Sequence, residues 1–320
     1  MWFPIALISY FLFAAVKLTD KYLLKSSLPV PLAYAFYVGI FSLLGSALIL
    51  AISPLVLGFP FPSGIFSVVA LLARVNWLMI LIAILSGVLF IWALIGFYSG
   101  VRVGEASRVV PAIGAEVAIF TLFFAQLFLN EGLDADELLA FFLLFLGGIL
   151  ISIRISKKEF LHLNKEEGIY ILFASVLFAL SWVLKKLVFL HHDFIIGFLW
   201  TNLGVTIGVF PLLVSAYARK EIFSRPAKIA PKNKIIFLSN QVAGGTASIL
   251  QNLAVALGSV TLVNGLQGME NLFLLGLAFF LAIKFPRLLK EEFHGFVVWQ
   301  KLFAVVLIGF GFAILSIKIF

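Results

Sequence analysis

Long runs of apolar residues, separated by short polar stretches, follow one another along the whole chain. A helix needs about 20 apolar residues to cross a bilayer, whereas strands of a membrane barrel would alternate over about ten. The pattern therefore predicts ten membrane-spanning helices, five in each half. An apolar stretch too short to span, residues 61–75, is expected to lie along the membrane surface. The ten segments are predicted at residues 2–20, 31–53, 77–101, 106–129, 136–154, 168–190, 195–217, 234–257, 260–283 and 296–317.

The second half of the chain repeats the first. At an offset of 154 residues Gly104 aligns with Gly258, and Glu116 aligns with Glu270. Each half holds an odd number of segments, so a directly repeated unit must enter the membrane from opposite sides in its two copies. That arrangement is the inverted repeat found in many secondary transporters.

These observations predict the fold class. We expect an all-α membrane protein with ten transmembrane helices arranged as two inverted five-helix repeats. The repeats are expected to occupy residues 1–160 and 161–320.

Composition excludes several classes of protein. Of the 320 residues, 63% are hydrophobic and only 12% are charged, while soluble domains carry about 25% charged residues. No cysteine is present, so disulfides and thiolate metal sites are excluded. The sequence has no phosphate-binding loop and no metal-ligating histidine spacing. We therefore expect no enzyme activity, no cofactor, no metal and no nucleic-acid partner.

Basic residues are distributed unevenly between the loops. Loops after odd-numbered segments hold 17 of the 23 lysines and arginines, and the other side holds four. The positive-inside rule then places the odd loops in the cytoplasm and both termini outside.

Three sequence features resemble the EamA-like branch of the drug/metabolite transporter superfamily. Residues 104–110 (Gly-Glu-Ala-Ser-Arg-Val-Val) enter segment four, and residues 129–133 (Leu-Asn-Glu-Gly-Leu) close it. Segment five ends near Gly147-Gly148. Together with the two five-helix halves, this resemblance covers nearly the whole chain. It implies a transporter of the inner or plasma membrane that moves a small metabolite, an amino acid or an amphiphile, often outward.

The chain departs from the family in two respects. Members often carry a proline near the position of Glu116, commonly just after a glutamate, but here Val117 and Asn271 follow the two carboxylates. The resemblance also implies both termini in the cytoplasm, opposite to the charge distribution.

Two carboxylates, Glu116 and Glu270, lie near the middle of segments four and nine. An ionisable group at the bilayer centre costs several kcal/mol and normally faces the bundle interior or a wet cavity. One interpretation is a pair of proton-carrying or substrate-binding groups at the midplane. The other is a protonated glutamate that bonds to a neighbouring helix and holds the halves together.

Further polar residues accompany these carboxylates, and the alternative for each is a helix–helix seam. Polar residues surround Glu270 in the sequence, so we expect the second half to carry the binding site and Glu116 to have a structural role. The candidates are Asn264, Gln267 and Asn271 on one face of segment nine, Gln241, Ser248 and Asn252 on segment eight, and Trp92 and Tyr98 on segment three.

Three lysines within apolar segments receive structural interpretations. Lys17 is expected to pair with Asp20 near the surface. Lys185 and Lys186 are expected to extend their ammonium groups to the membrane interface.

The sequence thus predicts a secondary active transporter that works by alternating access. Its expected partners are a small-molecule substrate, the lipid bilayer and protons carried by Glu116 or Glu270, and it is expected to be a monomer or homodimer. A lipid flippase, a membrane enzyme acting on lipid-linked substrates and a non-transporting receptor are the alternatives. A cavity around Glu270 that reaches one side would favour transport over a packed core.

Overall fold

The computed structural model describes residues 1–24, 31–57, 76–104, 106–152, 165–223, 231–284 and 296–319. These residues are almost entirely helical, and no strand occurs among them. The predicted surface helix at 61–75 lies outside the described residues.

The described residues form thirteen helices. They are α1 (Trp2–Leu24), α2 (Pro31–Leu57), α3 (Trp77–Val103), α4 (Ala106–Leu129), α5 (Ala135–Ser152), α6 (Lys165–His191), α7 (Phe194–Ile207), α8 (Phe210–Val214), α9 (Ala216–Phe223), α10 (Pro231–Leu257), α11 (Val260–Gly265), α12 (Gln267–Lys284) and α13 (Phe296–Ile319).

Several of these helices could cross a membrane. Within the described ranges, six stretches combine the necessary length and apolar character, and large apolar side chains such as Phe303 and Phe310 point outward. Lipid accepts such a surface, because no polar exterior is then required. The chain is therefore an all-helical membrane protein. The six stretches are Trp2–Thr19, Trp77–Val103, Val109–Leu129, Lys165–His191, Phe194–Val214 and Trp299–Lys318.

Two predicted segments are not single helices. Segment seven, predicted at 195–217, is divided into α7, α8 and α9, with the first break at Gly208 and Pro211 at the start of α8. Segment nine, predicted at 260–283, is divided into α11 and α12 at Leu266. Apolar length predicts where a chain spans but not whether its helix is continuous.

Local capping explains where several helices begin. Asp134 and Glu137 form a reciprocal capping box at the start of α5, with N–H···O distances of 3.0 and 3.1 Å. Asp134 is therefore the residue that caps α5. Asn76 accepts the N–H of Leu78 at 3.1 Å and begins α3 in the same way.

The helices pack in related pairs. α3 packs along α6, and α1 packs along α10; α4 also contacts α6, and α12 also contacts α1. α5 packs against α13, and α7 packs against α2 and α3. The larger apolar core lies among α1, α4–α6 and α10–α13, and a second core lies among α2, α3 and α7–α9.

Glycines allow α3 and α7 to approach closely. A methyl group on Gly87 would overlap the carbonyl oxygen of Thr201 and lie 2.5 Å from the N atom of Val205. These are backbone atoms, so they cannot move aside. The glycines of segment eight behave differently: a methyl group on Gly245 would meet no described atom within 4 Å, and one on Gly244 would only touch Val16. Two adjacent small residues on segment eight predict a close helix contact from the sequence, but the described residues make no such contact at Gly244 or Gly245.

We expect Gly87→Ala to destabilise the protein by about 1–3 kcal/mol, because α3 and α7 must separate to admit the methyl group. The matched control is Gly245→Ala, which should be neutral or stabilising by up to about 1 kcal/mol, since alanine favours the helix. Reversible unfolding of the purified protein would measure both. Equal effects of the two substitutions would contradict the close contact.

Candidate functional site

An ion pair between a partly exposed lysine and a buried glutamate joins α1 to α12. Lys17 Nζ lies 2.7 Å from Glu270 Oε1, and the two side chains are 37% and 5% exposed. Removing a carboxylate from water costs several kcal/mol unless a countercharge and hydrogen bonds replace the solvent. Lys17 supplies that countercharge. The predicted pairing with Asp20 falls on a side chain outside the described residues, and the partner that the structure describes for Lys17 comes from the other end of the chain.

The break at Leu266 brings Glu270 close to a helix N-terminus. Glu270 lies in the first turn of α12, where the partial positive charge of the helix end favours a carboxylate. In a continuous helix from Val260 it would lie about three turns inside. At the 154-residue offset, Gly265 beside this break aligns with Pro111, which interrupts the hydrogen bonding of α4. The aligned helices are thus perturbed at the same position.

Tyr10 on α1 bonds to the end of α11. Its hydroxyl donates to the carbonyl oxygen of Val263 at 2.7 Å and accepts from Gln251 Nε2 at 3.2 Å. An uninterrupted helix would bond that carbonyl to the N–H of residue 267. Tyr10 and Lys17 are seven residues apart and so lie on one face of α1. α1 therefore contributes two polar side chains to one site.

A small cavity lies beside the ion pair, among α1, α4, α5, α11 and α12. Its volume is about 30 Å³, enough for one or two waters. The three amides predicted to share one face, Asn264, Gln267 and Asn271, do line this cavity, together with Lys17. Glu270 is absent from the lining, although it contacts Lys17, which lines the cavity.

One amide in the cavity lacks a partner. Asn264 is only 3% exposed, and its Nδ2 has no hydrogen-bond partner among the described residues. A buried donor left unpaired costs about 1–3 kcal/mol. Asn271 differs, because its Nδ2 donates to the carbonyl oxygen of Gly148 at 3.4 Å.

Close helix packing keeps the cavity narrow. A methyl group on Gly148 of α5 would lie 2.9 Å from Gly268 Cα, and one on Gly114 of α4 would lie 3.0 Å from Gln267 Nε2. α4 and α5, both from the first half, therefore form the walls against which α12 rests.

Glu116 lies outside this cavity and has different neighbours. It is partly buried in α4, beside Ser175 of α6, and its Oε2 is buried with no hydrogen-bond partner among the described residues. Segments one and six align at an offset of 165, so Lys17 corresponds to Trp182. Lys17 supplies an ammonium group to Glu270, whereas the aligned residue, Trp182, has an aromatic ring and no charge.

The remaining predicted site residues do not reach the cavity. On α10, Asn252 Nδ2 donates to the carbonyl oxygen of Ser248 at 2.8 Å, while Gln241 is partly buried away from the cavity lining. On α3, Trp92 packs against the second apolar core, and Tyr98 meets Phe97 edge-on. These residues contribute to helix packing.

The turn after α4 directs Glu131 towards the second half. α4 ends at Leu129, and Asn130 adopts the left-handed conformation with φ 51°. The N–H of Glu131 then donates to the carbonyl oxygen of Ala125 at 3.2 Å, which is the bond that closes many helix C-termini.

The carboxylate of Glu131 caps α11. It accepts from Ser259 Oγ at 2.5 Å and from the N–H of Thr261 at 3.1 Å. These contacts satisfy donors that a helix start leaves open. The glutamate-containing turn therefore has a structural role that joins the two halves.

Lys186 caps the neighbouring end of α10. Its Nζ donates to the carbonyl oxygens of Val255 at 3.0 Å and Gly258 at 2.7 Å, as cations near helix C-termini do. Lys185 packs over the rings of Phe90 and Trp182, at 4.4 and 4.2 Å from their centroids. Both lysines are buried, so the predicted extension to the interface is wrong.

We call the surface where these ends meet the capped face. It comprises the contacts of Glu131 and Lys186 with the α10–α11 turn, Trp2 against Gly258, and Lys318 paired with Asp134 and Glu137. Trp2 of α1 and Lys318 of α13 therefore both lie at this face.

Lys17 and Tyr10 were not among the site residues predicted from the sequence. Lys17 is the only charged residue in the stretch Trp2–Thr19, and an isolated cation in an apolar span indicates a partner on another helix. Tyr10 gave no comparable signal, because one tyrosine in an apolar helix is common at helix seams.

The fold, unlike the sequence, resembles known proteins. No protein-family model and no curated protein sequence matches the chain. A solved crystal structure aligns with a TM-score of 0.68 over 98% of this chain and 96% of its own, at 12% identity. It is one of 15 chains of solved structures that match. At this identity the likeness shows the fold alone: the chain adopts, end to end, an arrangement of helices already seen by crystallography.

We expect Lys17→Met to destabilise the protein by roughly 3 kcal/mol, because Glu270 would be left buried without its countercharge. Adding Glu270→Met should recover most of that loss, since neither charge then remains. A double-mutant cycle measured by unfolding gives the coupling directly. Additive effects of the two substitutions would contradict the ion pair.

Proposed function

We propose that this chain is a secondary active transporter that moves a small molecule by alternating access, as its resemblance to the EamA-like transporters implies. The observation that carries the proposal is the Lys17–Glu270 ion pair beside a polar cavity and a broken helix. Discontinuous helices with charged or polar groups at their ends are how many transporters build midplane sites.

The packing supports ten segments in two inverted repeats. α3 on α6 corresponds to α10 on α1, and α4 on α6 corresponds to α12 on α1, when the halves are aligned in order. α5 and α13 are the last segments of the two halves, so aligning the halves exchanges these two helices and leaves their contact unchanged. An internal two-fold relation would produce these correspondences, and an even number of crossings between α1 and α13 fits Trp2 and Lys318 at the capped face.

The conformation described is closed at the capped face. Glu131 from the first half and Lys186 from the first helix of the second half hold the α10–α11 turn. The cavity of about 30 Å³ is far smaller than a metabolite site, which typically occupies at least about 300 Å³. Substrate would therefore enter only after the two halves separate, which is the motion that alternating access requires.

In this proposal Glu116 is the residue that binds the transported proton. Glu270 already has a cation at 2.7 Å, whereas Glu116 has an unpartnered buried oxygen and Trp182 at the position equivalent to Lys17. A carboxylate that lacks a countercharge is the natural site for a transported proton. This assignment reverses the preference that the sequence suggested.

The first test is flux into proteoliposomes. A substrate is first chosen by thermal-stabilisation screening of the purified protein against amino acids, nucleosides, sugars and amphiphiles. Glu116→Gln should abolish uptake driven by a pH gradient while retaining exchange of labelled for unlabelled substrate. Glu270→Gln should reduce both, because it removes the partner of Lys17.

Pairwise comparison of these variants makes the outcomes distinct. Unchanged pH-driven flux in Glu116→Gln would remove that residue from coupling. Unchanged flux in both variants would favour uncoupled facilitation. No flux of any ligand that stabilises the protein would contradict the proposed transport.

The second test is access to the capped face. Because the chain has no cysteine, Thr261→Cys places a single thiol at a fully buried position whose N–H bonds to Glu131. We expect slow reaction with a membrane-impermeant maleimide.

Removing the cap should accelerate that reaction. Loss of about 1–2 kcal/mol from the closed state on adding Glu131→Ala would increase labelling about 5–30-fold. Lys220→Gln, an exposed substitution on α9, is the control. The side from which the maleimide reacts reports which side the capped face occupies, and no acceleration would contradict its role as a closed gate.

A further inference from the structure

The cavity beside the ion pair presents hydrogen-bond donors and a positive charge. Among the described residues its lining contains one charged side chain, Lys17, and no carboxylate. The ammonium group offers three donors and no acceptor. Lys17 is 37% exposed and its partner Glu270 only 5%, so the cation is the accessible member of the pair.

The side-chain amide of Asn264 has a hydrogen-bond donor with no acceptor among the described residues. Its side chain is 97% buried, being 3% exposed, and it lines the same cavity with its Nδ2 unpaired. Buried donors in native structures normally have partners. A donor without an acceptor, in a cavity whose lining also holds Lys17, is the pattern expected where a ligand supplies the anionic oxygens.

The size of the cavity limits what can occupy it. About 30 Å³ accommodates one or two water-sized groups, which suits the oxygens of a carboxylate head but not the body of a metabolite. The apolar walls include Pro111 and Phe145, and these would meet the first carbon atoms of the ligand.

We infer that this cavity binds the carboxylate of the substrate through Lys17 and Asn264, and that the bound carboxylate shares Lys17 with Glu270. The inference rests on the proposed transport function and defines its substrate class as a carboxylic acid. Lys17 then has two alternative anionic partners, one fixed in the protein and one brought by the substrate.

The test uses the full chain in detergent and acetate as the probe, with binding followed by the rise in melting temperature at constant ionic strength. Chloride and methylammonium are the comparison ions. Saturable stabilisation by acetate that neither comparison ion reproduces supports the inference. An equal effect of chloride would define a halide site instead, and stabilisation by methylammonium would overturn the assigned charge preference.

Variants separate binding from folding. Lys17→Gln and Asn264→Asp should weaken acetate binding at least about tenfold, because each removes a charge-assisted or unpaired donor. Glu270→Gln should tighten it at least about tenfold, because the competing carboxylate is gone. Lys220→Gln should change nothing. A merely structural ion pair would not produce tighter binding when one of its members is removed.

A double variant in which the two charges are exchanged controls for loss of folding. Lys17→Glu combined with Glu270→Lys keeps both charges but moves the ammonium group to position 270, which does not line the cavity. The double variant should recover the melting temperature of the parent protein and lose acetate binding. Retained acetate binding in this variant would overturn the inference.

The outcomes also separate this inference from the proposed function. Transport of a substrate that lacks a carboxylate would overturn the carboxylate site and leave transport intact. Acetate binding with the expected variant pattern, in a protein that moves no ligand, would leave the site intact and contradict transport.

Discussion

Burying one carboxylate inside an apolar bundle constrains most of the central structure. Glu270 cannot remain buried without a countercharge, and that countercharge comes from Lys17, about 250 residues earlier in the chain. The pair requires α1 to lie along α12, which places Tyr10 over the break in segment nine. The same break puts Glu270 near a helix N-terminus and leaves Asn264 at the cavity. Ion pair, break and cavity thus form one unit.

The two halves resemble one another in order but not in chemistry. Segments four and nine each carry a carboxylate and an interruption, yet on the neighbouring segments Lys17 corresponds to Trp182 and Tyr10 corresponds to Ser175. Glu270 is therefore paired with the ammonium group of Lys17, whereas Glu116 has a buried oxygen without a hydrogen-bond partner among the described residues. A duplicated framework with different side chains allows one half to hold a ligand and the other to respond to protons. This division is the physical basis for assigning different roles to Glu116 and Glu270.

Membrane segments and the face shared by Asn264, Gln267 and Asn271 could be predicted from sequence, because apolar length and helical spacing are local properties. The partner of Lys17 could not, since no local rule connects residues 17 and 270. The break at Leu266 was equally hidden: an isolated glycine such as Gly265 weakens a helix but is tolerated within many of them. Tyr10 helps to stabilise the break from a distant helix. Gly244 and Gly245 indicated a close contact in sequence, but the backbone approach occurs at Gly87, where the neighbouring Thr201 belongs to a segment whose position only the fold defines.

The caps on the α10–α11 turn have a consequence for how the chain is made. Ser259 caps the N–H of Leu262 from within this part of the chain, whereas the N–H of Thr261 and the carbonyl oxygens of Val255 and Gly258 are bonded by Glu131 and Lys186. Synthesis runs from the N-terminus, so both side chains are already in the membrane when the turn emerges. The earlier helices thus act as an internal template for the later ones. A polypeptide beginning at α10 would enter the bilayer with open helix ends, and supplying the N-terminal part as a separate chain should restore its assembly.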